Sequence, residues 1–418
     1  MSKPEMKTTT AKWIEGPTFW TSGHWPTLLL AFLYFDFCFA IWVMNGALAP
    51  FISEQFGLSA AQKGFMISVP IISGALLRFP LGVLSQYIGR KTAALIEMGI
   101  IIIALAYGYF FVNTYTEVLI MGVMLGIAGA SFGVALSLGG GWYPPKYKGL
   151  AVGIAGAGNS GAIIAMLFAP PLALQHGWQA VYGYAIPLMF IPFVLVALFV
   201  KEPPDREKNS LGGYLKVCFE RDAWIFNISY ILTFGGYIGF TSFLPTFIHD
   251  QYGISKAIMG QYSALIIIMA SVARITGGLL ADKFGGIRVM LVVFAVCILG
   301  ALAASTLPAL PIMVGIMIFI FLALGLGNGA TFQLVPLRWP AASAIAMSLI
   351  GEIGALGGGF LPNIMGQSKQ YFGTFSYGFY VGAVLASVLA VTFLIVRRQW
   401  VGKWLGEGGR AKEIITKV

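Results

Sequence analysis

Charge is scarce in this chain. Of its 418 residues only 10% are Asp, Glu, Lys or Arg, against roughly 25% in ordinary soluble domains. That shortage excludes a soluble globule of this length and a disordered chain, and the +10 net charge sits on too few residues to coat a nucleic-acid surface. Cysteine occurs three times (Cys38, Cys218, Cys297), far apart and without CxxC or CxxH spacing, so neither a disulfide framework nor a zinc site is expected. The three histidines, His24, His176 and His249, lie near the ends of apolar stretches, which leaves a metal site without a home. No cofactor is expected. No grouping of nucleophile, general base and oxyanion donors can be assembled either, so the chain does not read as an enzyme. The first twenty-five residues are polar and carry Pro4 and Pro17; lacking a short apolar core, they do not read as a removable signal peptide.

What the chain has in abundance is apolar length, with 58% hydrophobic residues. Runs of about 20 apolar residues, each enough to cross a bilayer core as a helix, recur from end to end. Boundaries read at charges, Pro and Gly clusters place twelve of them near 27–51, 64–88, 91–112, 117–141, 149–173, 178–200, 223–248, 260–282, 287–307, 310–336, 341–366 and 373–396. The expected fold is an all-α membrane protein of twelve transmembrane helices in two pseudo-symmetric six-helix bundles. The expected division is a tail at 1–26, bundles at 27–200 and 223–396, a linker at 201–222 and a second tail at 397–418. Trp13 to Trp25 is aromatic-rich and reads either as an interfacial segment or as a flexible tail.

Placing the N-terminus inside puts 21 of the 26 basic residues on one face, from Lys3, Lys7 and Lys12 through Arg90, Lys91, Lys146, Lys148, Arg206 and Lys208 to Lys412 and Lys417. The other face keeps Lys63, Lys256 and Lys369. This is the positive-inside pattern, so both termini are assigned to the cytoplasm and the basicity needs no nucleic acid. Trp142, Tyr143, Trp224, Trp339, Trp400 and Trp404 are expected at the inner interface.

The halves repeat one another. Arg78, Gly82 and Gly89 in LLRFPLGVLSQYIGR recur 196 residues later as Arg274, Gly278 and Gly285 in VARITGGLLADKFGG. Gly153, Gly156 and Gly161 match Gly351, Gly354 and Gly359 at an offset of 198. Repeated halves joined by a polar linker describe a two-bundle rocking transporter.

These residues carry a resemblance. The sequence resembles the major facilitator superfamily and, within it, the nitrate/nitrite porter family, over essentially the whole membrane region. The superfamily loop motif appears as Gly82-Val-Leu-Ser-Gln-Tyr-Ile-Gly89-Arg90-Lys91, with Gln86 where Asp is usual. Its second copy, from Gly278 through Asp282 and Gly285 to Arg288, keeps the acid. The narrower signature is AGAGNSGAIIAMLFAPP on the fifth span and GEIGALGGGFLP on the eleventh.

Charges inside the bilayer are informative without any resemblance. An Arg at a helix centre costs about 2.5–3.5 kcal/mol on insertion scales, so it lines a cavity or has a partner. Arg78 and Arg274 each lie 14 residues into their spans on opposite halves, and neither span holds an acid of its own before its motif end. Two guanidiniums on facing bundles suit a small anion, since their planar forks donate paired hydrogen bonds and stay charged. The resemblance implies nitrate, and probable nitrite, as substrate, with Asn159 donating an amide hydrogen bond, Tyr230 its hydroxyl, and Phe132 and Phe234 flanking the ion; lipid or core packing is the other reading of the two rings. Gly156, Gly158, Gly357 and Gly358 read as close-packing positions beside the substrate.

Three acids are also intramembrane. Asp36 is the leading proton carrier, with Glu97 and Glu352 behind it, and pairing with an arginine or a backbone donor is the alternative for each. Asp282, with Arg288 and Lys91, is expected at the rim as a latch between halves. Uptake coupled to protons and exchange of nitrate for nitrite both remain open. Rival readings are an exchanger of formate, oxalate or another small organic anion, or an anion channel or sensor. Against the oxalate/formate type, span 11 has no basic residue after Arg338. A monomer in the cell membrane, in contact with lipid, is expected.

Overall fold

In the computed structural model, residues 16–204, 216–340 and 342–411 are described. Twelve helices are long and apolar enough to cross a membrane: α1 Trp25–Phe56, α2 Ala60–Ile88, α3 Arg90–Phe110, α4 Tyr115–Gly140, α5 Tyr147–His176, α6 Trp178–Phe199, α7 Arg221–Tyr252, α8 Met259–Phe284, α9 Gly286–Ser305, α10 Leu310–Arg338, α11 Ile345–Phe372 and α12 Ser376–Trp400. They form two six-helix bundles. Most run past the limits expected from the sequence; α1 has 32 residues rather than about 25, because polar residues such as Ser53 and Glu54 continue the helix beyond the apolar run. The tails up to residue 15 and from 412, half of the expected linker (205–215) and the basic residues on them lie outside the described residues.

Local sequence sets the breaks. Gly89 and Gly285 adopt φ of +95° and +96° at the matched α2–α3 and α8–α9 turns, a conformation that strains any residue with a Cβ. Glycine-rich GIAGA turns α4 into a 3-10 segment at Gly126–Ala130, and AGNS does the same in α5 at Ala157–Ser160. In α7 the ladder widens into a π segment at Ile231–Gly235. Such irregular turns free backbone carbonyls and re-aim side chains. The matching glycine runs of α10 and α11 stay α-helical.

The halves meet at one end and part at the other. At the meeting end Lys63 of α2 pairs with Asp250 of α7 at 2.6 Å, and Lys256, before α8, pairs with Glu54 of α1. Lys256 also lies 4.9 Å from the Phe51 ring. A Cβ on Gly46 of α1 would fall 2.2 Å from the Ser242 carbonyl oxygen of α7, so these backbones touch there. At the other end Gly82, Gly149 and Gly153 have nothing within 4 Å of a Cβ position.

The aromatic residues expected at the inner interface differ in exposure. Tyr143, Trp339 and Trp400 are buried, while Trp224 is exposed. Phe226 stacks on Trp400 at 5.2 Å, and Asp222 and Glu220 bind Arg338 at 2.5 and 2.8 Å while accepting the Trp400 and Trp339 indole N–H groups. Carboxylates near the start of α7 draw these indoles inward. Near the described start of the chain, Phe19 stacks on Tyr143 at 4.8 Å, which ties this segment to the α4–α5 turn, while Trp20 stays exposed.

Candidate functional site

Arg78 and Arg274 converge between the halves. The Arg78 guanidinium lies 5.3 Å from both the Phe132 and Phe234 rings and 5.2 Å from Trp42. That of Arg274 lies 5.7 Å from Phe132, 6.0 Å from Phe234 and 5.9 Å from Phe332. Two rings, one from each half, are therefore shared by both cations, whose charge their faces attract. Tyr230 stacks on Phe234 at 5.2 Å and meets Phe332 at 5.1 Å.

The irregular turns put these groups in place. The 3-10 segment of α4 leaves the Gly129 carbonyl free to accept from Arg78 Nε at 2.8 Å, and Phe132 follows one turn later. A Cβ on Gly129 would fall 2.2 Å from Trp42, so glycine is what lets the indole lie there. Trp42 is fixed in turn by its N–H donating to the Pro70 carbonyl at 2.8 Å. Asn159 sits in the 3-10 segment of α5, and Phe234 in the π segment of α7 with Tyr230 just before it. Arg78 also donates from a terminal nitrogen to the Gly351 carbonyl of α11 at 2.8 Å, a bond between the halves.

Neither arginine has a carboxylate partner among the described residues. One terminal nitrogen of each, the Tyr230 hydroxyl and the Asn159 amide oxygen are buried without a hydrogen-bond partner. Buried polar atoms are satisfied in the great majority of native sites, so the unpaired guanidinium N–H groups and the Tyr230 hydroxyl make a place for an anion. The acids whose fields reach Arg78 are Glu352 and Glu97.

The remaining sequence-derived positions divide. Gly158 packs on the Asp36 and Phe32 backbone of α1, as a close-approach glycine should. Gly156 does not: the nearest atom to its Cβ position is Leu136 Cδ1 at 3.7 Å, an ordinary contact. Gly357 and Gly358 close-pack on Ile231, Ile238 and Gly235; the glycines in contact with the site's side chains are Gly351, whose Cβ would meet Phe132 and Arg78, and Gly354, against Tyr230.

Asp36 accepts from Ser160 Oγ at 2.6 Å and so staples α1 to α5. Glu97 accepts from the Tyr34 hydroxyl in the α1–α3 core, while Glu352 follows Gly351 directly and is only partly buried. Of the three acids, Asp36 is held by Ser160, while the fields of Glu352 and Glu97 reach Arg78.

The rim motif is not a latch between halves in this conformation. Arg288 pairs with Glu407 at 2.5 Å within its own half. Lys91 donates to the Ala197 carbonyl at 2.8 Å, and Glu202 receives the backbone N–H groups of Arg90 and Lys91 at 2.8 and 2.9 Å. Asp282 is exposed and has no ion pair among the described residues. With this end open, the motif charges serve their own bundle. Helix α11 reaches Phe372 and so includes Lys369, but at its far end, beside Phe375.

Trp42, Phe332 and Tyr237, whose hydroxyl donates to the Asn159 carbonyl at 3.3 Å, also border the site, although neither periodicity nor repeat marks them.

With the geometry in view, the family profile described as the Major Facilitator Superfamily matches residues 30–362. The chain belongs to that superfamily. Its fold and family indicate a multi-pass membrane transporter rather than an enzyme. The chain is 28% identical over 359 residues to a nitrite extrusion protein of Bacillus subtilis (strain 168), covering 86% of this chain and 90% of that protein. It is 29% identical to a probable nitrate/nitrite antiporter NarK1 of Thermus thermophilus, with 86% and 89% covered. A probable nitrate transporter NarT of Staphylococcus epidermidis is 27% identical, with 86% and 93% covered. Among solved structures, a bacterial homologue of the human lysosomal transporter Spinster superposes with a TM-score of 0.72 at 19% identity, covering 89% of this chain and 96% of that one. A D-xylose-proton symporter superposes with a TM-score of 0.71 at 15% identity, covering 92% and 99%. Both show the fold.

Proposed function

We propose that this protein carries nitrate and nitrite across the cytoplasmic membrane by alternating access around Arg78 and Arg274. The observation that carries this reading is the uncompensated cation pair: two guanidiniums from different halves, over the same two phenyl rings, with unpaired N–H donors and no acid in salt-bridge contact. The names of the relatives support the ion class. Nitrate is planar, monovalent and weakly hydrated; it takes donors at its edge and tolerates apolar faces, which Arg78, Arg274, Tyr230 and Asn159 on one hand and Phe132 and Phe234 on the other supply. A carbonyl-rich or carboxylate-lined cavity would select cations instead.

An empty site leaves two positive charges facing each other, a repulsion on the order of 1–2 kcal/mol at an effective dielectric of ~20. A bound anion removes it and lets the open end close. In this reading the basic face of the chain, with both termini, the linker and the open end, is cytoplasmic, and the Lys63–Asp250 and Lys256–Glu54 pairs seal the outside. The halves are residues 27–200 and 223–396.

Because no acid neutralises the pair, return of the empty carrier is disfavoured, and exchange of one anion for the other follows. Net uptake requires added positive charge, since the membrane potential opposes an entering anion by about 2.3 kcal/mol per 100 mV. Glu352, beside the Gly351 contact and reached by the field of Arg78, is the position from which a proton would act.

Proteoliposomes test this directly. Nitrate uptake is expected with nitrite trapped inside and not with formate or oxalate trapped inside. An imposed pH gradient that drives uptake without internal anion would replace exchange by proton coupling. Equal exchange of formate or oxalate would overturn the ion assignment.

A further inference from the structure

Between the arginine pair and the sealed end lies a group of polar side chains, of which the two-arginine site uses only Asn159. Tyr237 stands one helical turn beyond Phe234 on α7, and its hydroxyl bond to the Asn159 carbonyl joins α7 to α5, one half to the other. Ser271, one turn before Arg274 on α8, and Thr241, one turn beyond Tyr237, face the same hydroxyl. Thr241 is fully buried and its hydroxyl has no partner, nor has the Asn159 amide oxygen. The Ser271 bond to the Ile267 carbonyl is 3.5 Å long, at the limit of a hydrogen bond. Beyond this group Gly260 of α8 presses on the Met166 carbonyl of α5 and Gly46 on that of Ser242. The Ser242 and Thr246 hydroxyls, further along α7, are buried there without partners, so the group stands between the arginine pair and further polar positions toward the seal.

Opening the sealed end separates α5 from α7 and α8 and must break the Tyr237–Asn159 bond. We propose that Tyr237, Thr241 and Ser271, with the Asn159 side chain, then form a second, uncharged station for the anion, which receives it at the Lys63 end and passes it to the arginine pair. The station rests on the reading of that pair as the nitrate site. Hydroxyl and amide donors hold a monovalent oxyanion through one or two neutral hydrogen bonds, weakly enough to release it onward. Conduction through successive weak sites has this requirement. Residues on both halves supply the donors, so the station exists only while that end is open and is dismantled as it closes behind the ion.

The full-length protein in proteoliposomes tests this with Tyr237→Phe, which keeps the ring contacts to Phe39, Phe234 and Phe321, and with Thr241→Val. Exchange is measured separately with radiolabelled nitrate offered to the face bearing Lys63 and to the opposite face, using vesicles of the two orientations. Each variant is expected to raise the half-saturating nitrate at the Lys63 face about fivefold, the worth of one neutral hydrogen bond, and to leave the opposite face unchanged. Wild-type values at both faces, or equal rises at both, overturn the station. Arg78→Lys, measured alongside, loses exchange from both faces if the arginine site holds; if it stays normal, the site reading fails instead. Should Tyr237→Phe fold poorly, Thr241→Val is read against the same outcomes.

Discussion

Along the α2–α11 seam the halves touch continuously, from Gly64 against the Pro362 carbonyl, through Gly359 against Ile72, to Arg78 bonded to Gly351. Along the α5–α8 seam contact starts in the same way, with Gly260 against Met166, but Gly153 and Gly149 beyond it face open space. These seams are repeat mates, since Arg274 matches Arg78 and Gly153 matches Gly351 in the sequence. Arg78 is consequently buried, at 8% exposure, and held by two carbonyls, while Arg274 is half-buried with no such carbonyl bond among the described residues; each keeps one unpaired terminal nitrogen. Equal sequences thus occupy unequal positions, and the difference separates a scaffold arginine from a free one.

The largest expected effect tests that distinction. Arg78→Lys and Arg274→Lys should each lower nitrate exchange about a hundredfold, since a lysine cannot reproduce a planar fork. Only Arg78→Lys should also lower the apparent melting temperature, by several degrees, because it gives up charge-assisted bonds to Gly129 and Gly351 worth about 1.5–3 kcal/mol each. Equal melting temperatures for the two variants would erase the comparison. Next, Gly359→Val should collide with Ile72, which lies 2.3 Å from the Cβ position, and depress both melting temperature and transport, whereas Gly153→Val should melt like the wild type. If Gly153→Val nonetheless slows exchange, the α5–α8 seam closes during the cycle. A smaller effect is expected from Asp250→Asn combined with Glu54→Gln: freed of its ion pairs, the sealed end should open more often, and a thiol placed at buried Thr246 should react with maleimide several-fold faster. The smallest is Asp36→Asn, which should change nitrate affinity less than about twofold, since Asp36 binds Ser160 rather than the arginines; a large loss would return it to the transport path.

Twelve spans were legible because apolar runs of bilayer length have one reading in lipid, and the arginine pair because charge at that depth is costly enough to require a purpose. The partners of Arg78 were not legible. They are carbonyls, which every residue carries, and they accept because α4 is wound as a 3-10 helix at Gly129 and because α11 reaches α2 at Gly351. Which neighbours the glycines pack on was not legible either: Gly351 and Gly354 lie against Phe132, Arg78 and Tyr230, while Gly357 and Gly358 close-pack on Ile231, Ile238 and Gly235. Asp282 carries the motif of a latch, but a latch depends on which end is closed, a property of conformation that the sequence does not encode. Trp339 and Trp400 were legible as aromatic residues at helix ends; the carboxylates that bind their indoles were not.

The 3-10 turn of α4 ends just before Phe132, that of α5 holds Asn159, and the π turn of α7 holds Phe234. Three helices therefore have their joints at residues of the proposed anion site. Arms on either side of a fulcrum swing widely while the fulcrum barely travels, so an ion held there need not be dragged across the membrane. It is the walls above and below that change places.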